Sequence, residues 1–165
     1  GDFITQSYSL GANGSMSQKL SGRASVGYSS IDFKENSFDD SNTIISSISL
    51  SLNHNIKTKS QLQISKNFSP TARSQTQLQT NFRYILSHKL SQNLISTAGF
   101  FYDISEIFVS NSTSRNVEQT GFETTLTRIL RPNITTSINY IFSSISRNAN
   151  QFNKHLVSAS VYGRF

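Results

Sequence analysis

Apolar and polar residues alternate along this chain over segments much longer than the usual strand of about five or six residues. Residues 76–86 show the pattern best. Thr76, Leu78, Thr80, Phe82, Tyr84 and Leu86 fall on one face, and Gln77, Gln79, Asn81 and Arg83 fall on the other, where Gln75 extends the row. The same even-numbered apolar face recurs in Ala24, Val26 and Tyr28, in Ile44, Ile48, Leu50 and Leu52, in Phe100, Tyr102 and Ile104, and in Ile138, Tyr140 and Phe142. The last segment reverses parity: Val157, Ala159, Val161 and Phe165 are apolar against Ser158, Ser160, Tyr162 and Arg164. The alternation predicts strands over 3–16, 21–33, 43–54, 59–67, 75–86, 92–104, 117–130, 134–146 and 153–165.

The connections alternate between short ones (Gln18–Ser21, Ile56–Thr58, His88–Ser91, Arg131–Asn133) and longer polar ones (Lys34–Asn42, Lys66–Ser74, Ser105–Asn116, Arg147–Phe152). Apolar residues do not recur at helical spacing, so the pattern predicts an all-β antiparallel up-and-down meander. A soluble β-sandwich also alternates. Solvated strands, however, are usually protected by Lys and Glu, whereas here the polar face is Gln, Ser, Thr and Asn. That choice suits the lumen of a transmembrane barrel, whose strands need about 9 to 11 residues with short turns at the periplasmic end and longer loops outside. Phe33, Phe38, Phe68, Phe108 and Phe152 lie near the long-loop ends, as headgroup anchors would.

Composition narrows the choice. Only 15% of residues are charged while 35% are hydrophobic, and 12 Phe with 6 Tyr argue against disorder. The absence of Cys removes disulfides, thiolate metal sites and a cysteine nucleophile. No apolar run is long enough for a membrane helix, which leaves crossing by strands. Gly1 in place of an initiator Met reads as a cut inside a longer chain. With Phe165 at the periplasmic end, nine strands place Gly1 at the outer end, whereas bacterial barrels have an even strand number. The expectation is one β-barrel domain over 1–165, forming the C-terminal part of a larger outer-membrane barrel.

Several phrases carry a family resemblance: Lys66-Asn67-Phe68-Ser69-Pro70, Ala72-Arg73-Ser74, Phe82-Arg83-Tyr84, Ser87-His88-Lys89-Leu90-Ser91, Phe101-Tyr102-Asp103 and Arg131-Pro132-Asn133. Over about the last 120 residues the chain resembles outer-membrane β-barrel porins associated with exopolysaccharide gene clusters, including those found with exosortase systems. The resemblance implies a barrel in the outer membrane of a Gram-negative bacterium with a part in polysaccharide export, and no catalytic residue. The closing strand, with Val161, Tyr162 and Phe165, also resembles the signal that such barrels offer to the barrel-insertion machinery.

Candidate chemistry is sparse. His54 and His88 flank short turns while His155 opens the last strand at the other end, so the three do not converge as metal ligands. Serine is abundant but lacks a local nucleophile motif, and a membrane-embedded hydrolase ranks low. Asp32, Glu35, Asp39 and Asp40 lack EF-hand spacing and read as a solvated loop. Asn111-Ser112-Thr113 and Asn133-Ile134-Thr135 match a glycosylation pattern at the frequency such a composition produces by chance. No catalytic, cofactor or metal site is expected. Net charge is +6, but the cations form no stripe with aromatics, which disfavours nucleic acid.

The expected lumen lining is Arg23, Gln75, Gln77, Gln79, Asn81, Arg83, Glu123 and Arg164, with Arg83 and Glu123 a candidate ion pair. The expected partners are outer-membrane lipid, the insertion machinery and polysaccharide. The function read from the sequence is a porin-like barrel passing or helping to export a hydrophilic solute or exopolysaccharide. The alternatives are a non-conducting structural or adhesive barrel and a secreted β-sandwich adhesin.

Overall fold

The computed structural model describes residues 3–33, 41–70, 76–107, 115–147 and 150–163. These form one sheet of nine strands in sequence order. The strands are β1 (Phe3–Ser15), β2 (Leu20–Phe33), β3 (Ser41–Asn53), β4 (Thr58–Pro70), β5 (Thr76–Ser91), β6 (Leu94–Ile107), β7 (Arg115–Arg131), β8 (Ile134–Arg147) and β9 (Asn150–Gly163). Every neighbouring pair is antiparallel, so the predicted meander is the observed one. At 13 to 17 residues the strands exceed what a bilayer crossing requires. Among the described residues β1 and β9 each pair on one side only, and the sheet is not closed.

Register preserves parity from β1 to β8. Leu62 pairs with Tyr84, Tyr84 with Phe100, Phe100 with Phe122 and Phe122 with Phe142. The β8–β9 pairing changes parity, matching Phe142 with His155 and Ile138 with Ala159. This is the reversal that the sequence pattern required, because the odd residues of β9 must join the even face of β8. Burial shows which way the sheet curves. Ser29, Gly99, Phe101, Gly121 and Ser143 are buried, and all lie on the odd face, which is therefore the concave, inward face. Ser60 is the exception, an outward residue near a hairpin end, held by a 2.9 Å hydrogen bond with Nε2 of His54.

Turn chemistry fixes the short hairpins. Ser17 Oγ accepts hydrogen bonds from the backbone N–H groups of Lys19 and Leu20, and Asn55 Oδ1 accepts those of Lys57 and Thr58. The other two hairpins turn at Gln92-Asn93 and Pro132-Asn133, each beside a one-residue register slip, at Lys89/Ser91 and Ile129/Arg131.

Four boundaries move by three residues or more. His88–Ser91 belongs to β5 rather than to a turn, β4 runs on to Pro70, β6 runs on to Ile107, and β9 begins at Asn150, which leaves only 148–149 as its connection. The reason is common to all four: backbone ladder bonds continue after the alternating signal fades, because a strand between two polar surroundings has no need of it.

Candidate functional site: an inward polar face behind an apolar band

The outward face carries Lys66, Glu106 and Glu118 towards the long-connection end and Arg128 towards the short-turn end. Between Glu118 and Arg128, on one face of β7, lie Thr120, Phe122, Thr124 and Leu126. Ten residues at about 3.3 Å each span about 33 Å, and a strand tilt of about 45° reduces this to a height of about 23 Å. An apolar belt of about 25 Å is what a barrel presents to lipid. Ring contacts cross the belt from strand to strand: Phe82 meets Phe100 edge-on at 6.2 Å, Phe122 meets Phe142 at 5.5 Å, and Phe142 meets His155 at 5.0 Å. Phe100 and Phe122 remain 45% and 46% exposed, as a surface solvated by acyl chains permits.

The inward face has a bulky part and a thin part. In the bulky part Arg83 reaches Glu123 with Nη1 to Oε1 at 3.6 Å, across the intervening strand β6. Gly99 makes this possible, since a Cβ there would stand 2.9 Å from Cγ of Glu123. The reciprocal arrangement lies beside it. The Phe101 ring covers Gly121, where a Cβ would collide with that ring and with the carbonyl oxygen of Phe142. The Arg83 guanidinium sits 5.8 Å from the centre of the Phe101 ring. Gln63, Ser65, Gln79, Asn81 and Asp103 join Arg83 around a hollow of about 300 Å³. Asn81 Oδ1 and Asn139 Oδ1 are buried and accept no hydrogen bond from a described group.

The thin part, on β1–β3, is lined by small hydroxyl side chains bonded across strands. Ser7 pairs with Ser29 at 2.7 Å and Ser25 with Ser47 at 2.8 Å. Arg23 stands among Asn13, Ser49 and Ser51, with no ion-pair partner among the described residues.

Of the residues expected to line a lumen, Arg23, Gln77, Gln79, Asn81, Arg83 and Glu123 share the inward face, and the candidate pair Arg83 and Glu123 is formed. Gln75, Arg164 and Phe165 lie outside the described residues, as do Glu35, Phe38, Asp39, Asp40, Phe108 and Asn111-Ser112-Thr113. Val161 is outward and Tyr162 inward on β9. Phe152, expected as a lipid anchor, pairs with Ile145 on the inward face; Phe68 pairs with Leu78 on the outward one. The inward face is also less polar than expected. Ile85, Phe101, Ile141, Ile145 and Leu156 share it.

The sequence reading missed Asp103 and Lys154. Parity would have found Asp103. Lys154 falls on the polar face of the last strand once that strand's reversed parity is carried back to its first residues. The histidines are dispersed among separate neighbours: His54 with Ser60, His88 Nδ1 with Thr58 Oγ1 at 2.9 Å, and His155 Nδ1 with the Tyr140 hydroxyl at 2.9 Å.

A comparison with curated proteins returns no match. The family model described as "Putative beta-barrel porin 2" matches residues 6–165, which takes in all nine strands except the first residues of β1. The chain therefore belongs to this family of β-barrel porins.

Proposed function

We propose that the protein is an outer-membrane pore whose inward face conducts a hydrophilic solute, with a polysaccharide segment as the preferred class. The observation that carries this reading is the separation of the two faces: a charge-free belt about 23 Å high outside, and Arg23, Arg83, Glu123, Asp103 and a wall of amides and hydroxyls inside. Gln63, Gln79 and Asn81 line the hollow beside Arg83, and amide side chains can exchange hydrogen bonds with sugar hydroxyls. Neutral hydrogen bonds of this kind release a passing solute more readily than fixed ion pairs, which conduction requires. Among the described residues the outer edges of β1 and β9 have no partner strand, and in lipid each would leave backbone groups unsatisfied. Closure by strands beyond these nine, giving an even total, removes both edges.

Single-channel recording of the full-length protein in a planar bilayer tests the proposal. Arg23 has no carboxylate partner among the described residues, so Arg23→Glu should move selectivity from anions towards cations without disturbing an observed pair. Absence of conductance from the folded protein would favour a plugged structural barrel. Conductance with unchanged selectivity would place the solute path away from the β1–β3 wall.

A further inference from the structure

The nine carboxylate residues are distributed very unevenly. They occupy position 2, positions 32–40 and positions 103–123, and the stretches 3–31, 41–102 and 124–165 contain none. In the folded sheet this leaves the short-turn end without acids while Lys19, Lys57, Lys89, Arg128 and Arg131 ring it. Such a one-sign rim holds a positive potential that no Asp or Glu side chain of these strands' short-turn ends cancels.

One part of the rim is also shaped. The two hairpins with register slips, β5–β6 and β7–β8, lie side by side, tied by a hydrogen bond from the Ile129 N–H to the Asn93 carbonyl at 2.8 Å. Between them opens a groove of about 720 Å³ lined by Asn93, Leu94, Leu126, Arg128, Leu130 and Ile138. The Thr136 hydroxyl donates to the Arg128 carbonyl at 3.3 Å and fixes β8 against β7 there. Leu126, Leu130 and Ile138 are 43%, 52% and 59% exposed, so the apolar wall is open to the surroundings. Arg128 is the outward cation at this edge of the apolar belt.

We infer that this groove is a binding site for an anionic glycerophospholipid, with the Arg128 guanidinium on the phosphate and an acyl chain along Leu126 and Ile138, which pair on the belt side of Arg128. A planar guanidinium suits a phosphate diester, because two parallel N–H groups meet two oxygens. The neighbouring cations add long-range attraction for negative headgroups. The acyl chain covers Leu126 and Ile138 at the belt's lower edge, and Leu130 lies on the headgroup side of Arg128. The inference rests on the membrane reading proposed above.

The test uses the full-length protein folded in an uncharged detergent, with heat-shifted gel mobility as the measure of folding and native mass spectrometry as the measure of retained lipid. Phosphatidylglycerol should be retained at least tenfold better than phosphatidylcholine. Arg128→Gln should reduce that retention at least fivefold, and Arg147→Gln, at the opposite end, should leave it unchanged. If Arg128→Gln fails to fold, Arg128→Lys keeps the charge without the fork and should reduce retention two- to threefold.

Equal retention of the two lipids, or retention insensitive to both Arg128 variants, overturns the site while leaving the barrel intact. Displacement of phosphatidylglycerol by millimolar inorganic phosphate would identify a free-phosphate site and also overturn it. A protein that folds without detergent and retains no lipid of either kind would instead overturn the membrane reading.

Discussion

Strands β1–β3 and strands β5–β7 obey the same alternation but build opposite walls from it. Where β5–β7 present Tyr84, Phe100 and Phe122 outward, the same row on β3, β2 and β1 continues as Leu50, Gly22 and Gly14. Where β5 and β6 present Arg83 and Phe101 inward, the corresponding inward row on β3, β2 and β1 is Ser49, Arg23 and Asn13. The inner face is thick in one half of the sheet and thin in the other, while on the outer face the contrast is confined to this row, since β1–β3 also present Tyr8, Tyr28, Ile44 and Ile48 there. A thick wall narrows a lumen and fixes its own shape through packing. A thin wall leaves room for solute and exposes its one cation. The pairing of Arg83 in the thick half and the lack of an ion-pair partner for Arg23 among the described residues of the thin half follow from this difference. In the proposed pore a charged path would accordingly run along β1–β3.

The largest effect should come from a charge in the thick half's outer face. Phe100→Arg should destabilise by about 2 to 4 kcal/mol, whereas Gln79→Arg on the inner face should cost less than about 1 kcal/mol, read as urea midpoints in detergent micelles or vesicles. Equal damage at both positions would mean that both faces are packed and that the inner one is not a lumen.

Next is the glycine that lets Phe101 lie flat. Gly121→Ala should cost about 1 to 3 kcal/mol, because its new methyl meets the Phe101 ring and the Phe142 carbonyl. In the thin half, a Cβ at Gly14 meets nothing within 4 Å, so Gly14→Ala should be neutral or stabilising by up to about 1 kcal/mol. Thermal unfolding of the two variants side by side measures the contrast, and similar losses would remove the distinction between the walls.

A smaller loss is expected in the hydroxyl ladder. Ser25→Ala removes the bond with Ser47 and should cost about 0.5 to 1 kcal/mol, with ion selectivity unchanged. A changed selectivity would show that these hydroxyls contact the permeating ion.

The smallest change in stability belongs to the ion pair. At 3.6 Å, and with side chains 44% and 21% exposed, the Arg83–Glu123 pair should be worth at most about 1 kcal/mol in a double-mutant cycle. Its effect on function should be larger than its effect on folding: Glu123→Gln frees Arg83 and should raise anion preference in single-channel recordings. Unaltered preference would mean that Arg83 is turned away from the path.

Alternation at period two is a local property of the extended backbone, so the sequence alone determined the strands, the meander, the two faces and even the parity reversal of β9. It also placed Arg23, Gln77, Gln79, Asn81, Arg83 and Glu123 on one side, because in a sheet that preserves parity a residue's number settles its face. The acid-free short-turn end was equally legible as a run of sequence without Asp or Glu. Strand ends were not, since polar residues such as Asn150, Gln151 and Lys89 extend a ladder without any apolar signal.

Only the tertiary structure decided what the faces do. Register across three strands brought Glu123 over Gly99 to Arg83 and laid Phe101 over Gly121, contacts between residues 20 to 40 positions apart. Curvature decided which face is concave. Two neighbouring register slips opened the groove beside Arg128. Each of these depends on the relative placement of separate strands, and a periodicity read along one strand contains no information about its neighbour's register.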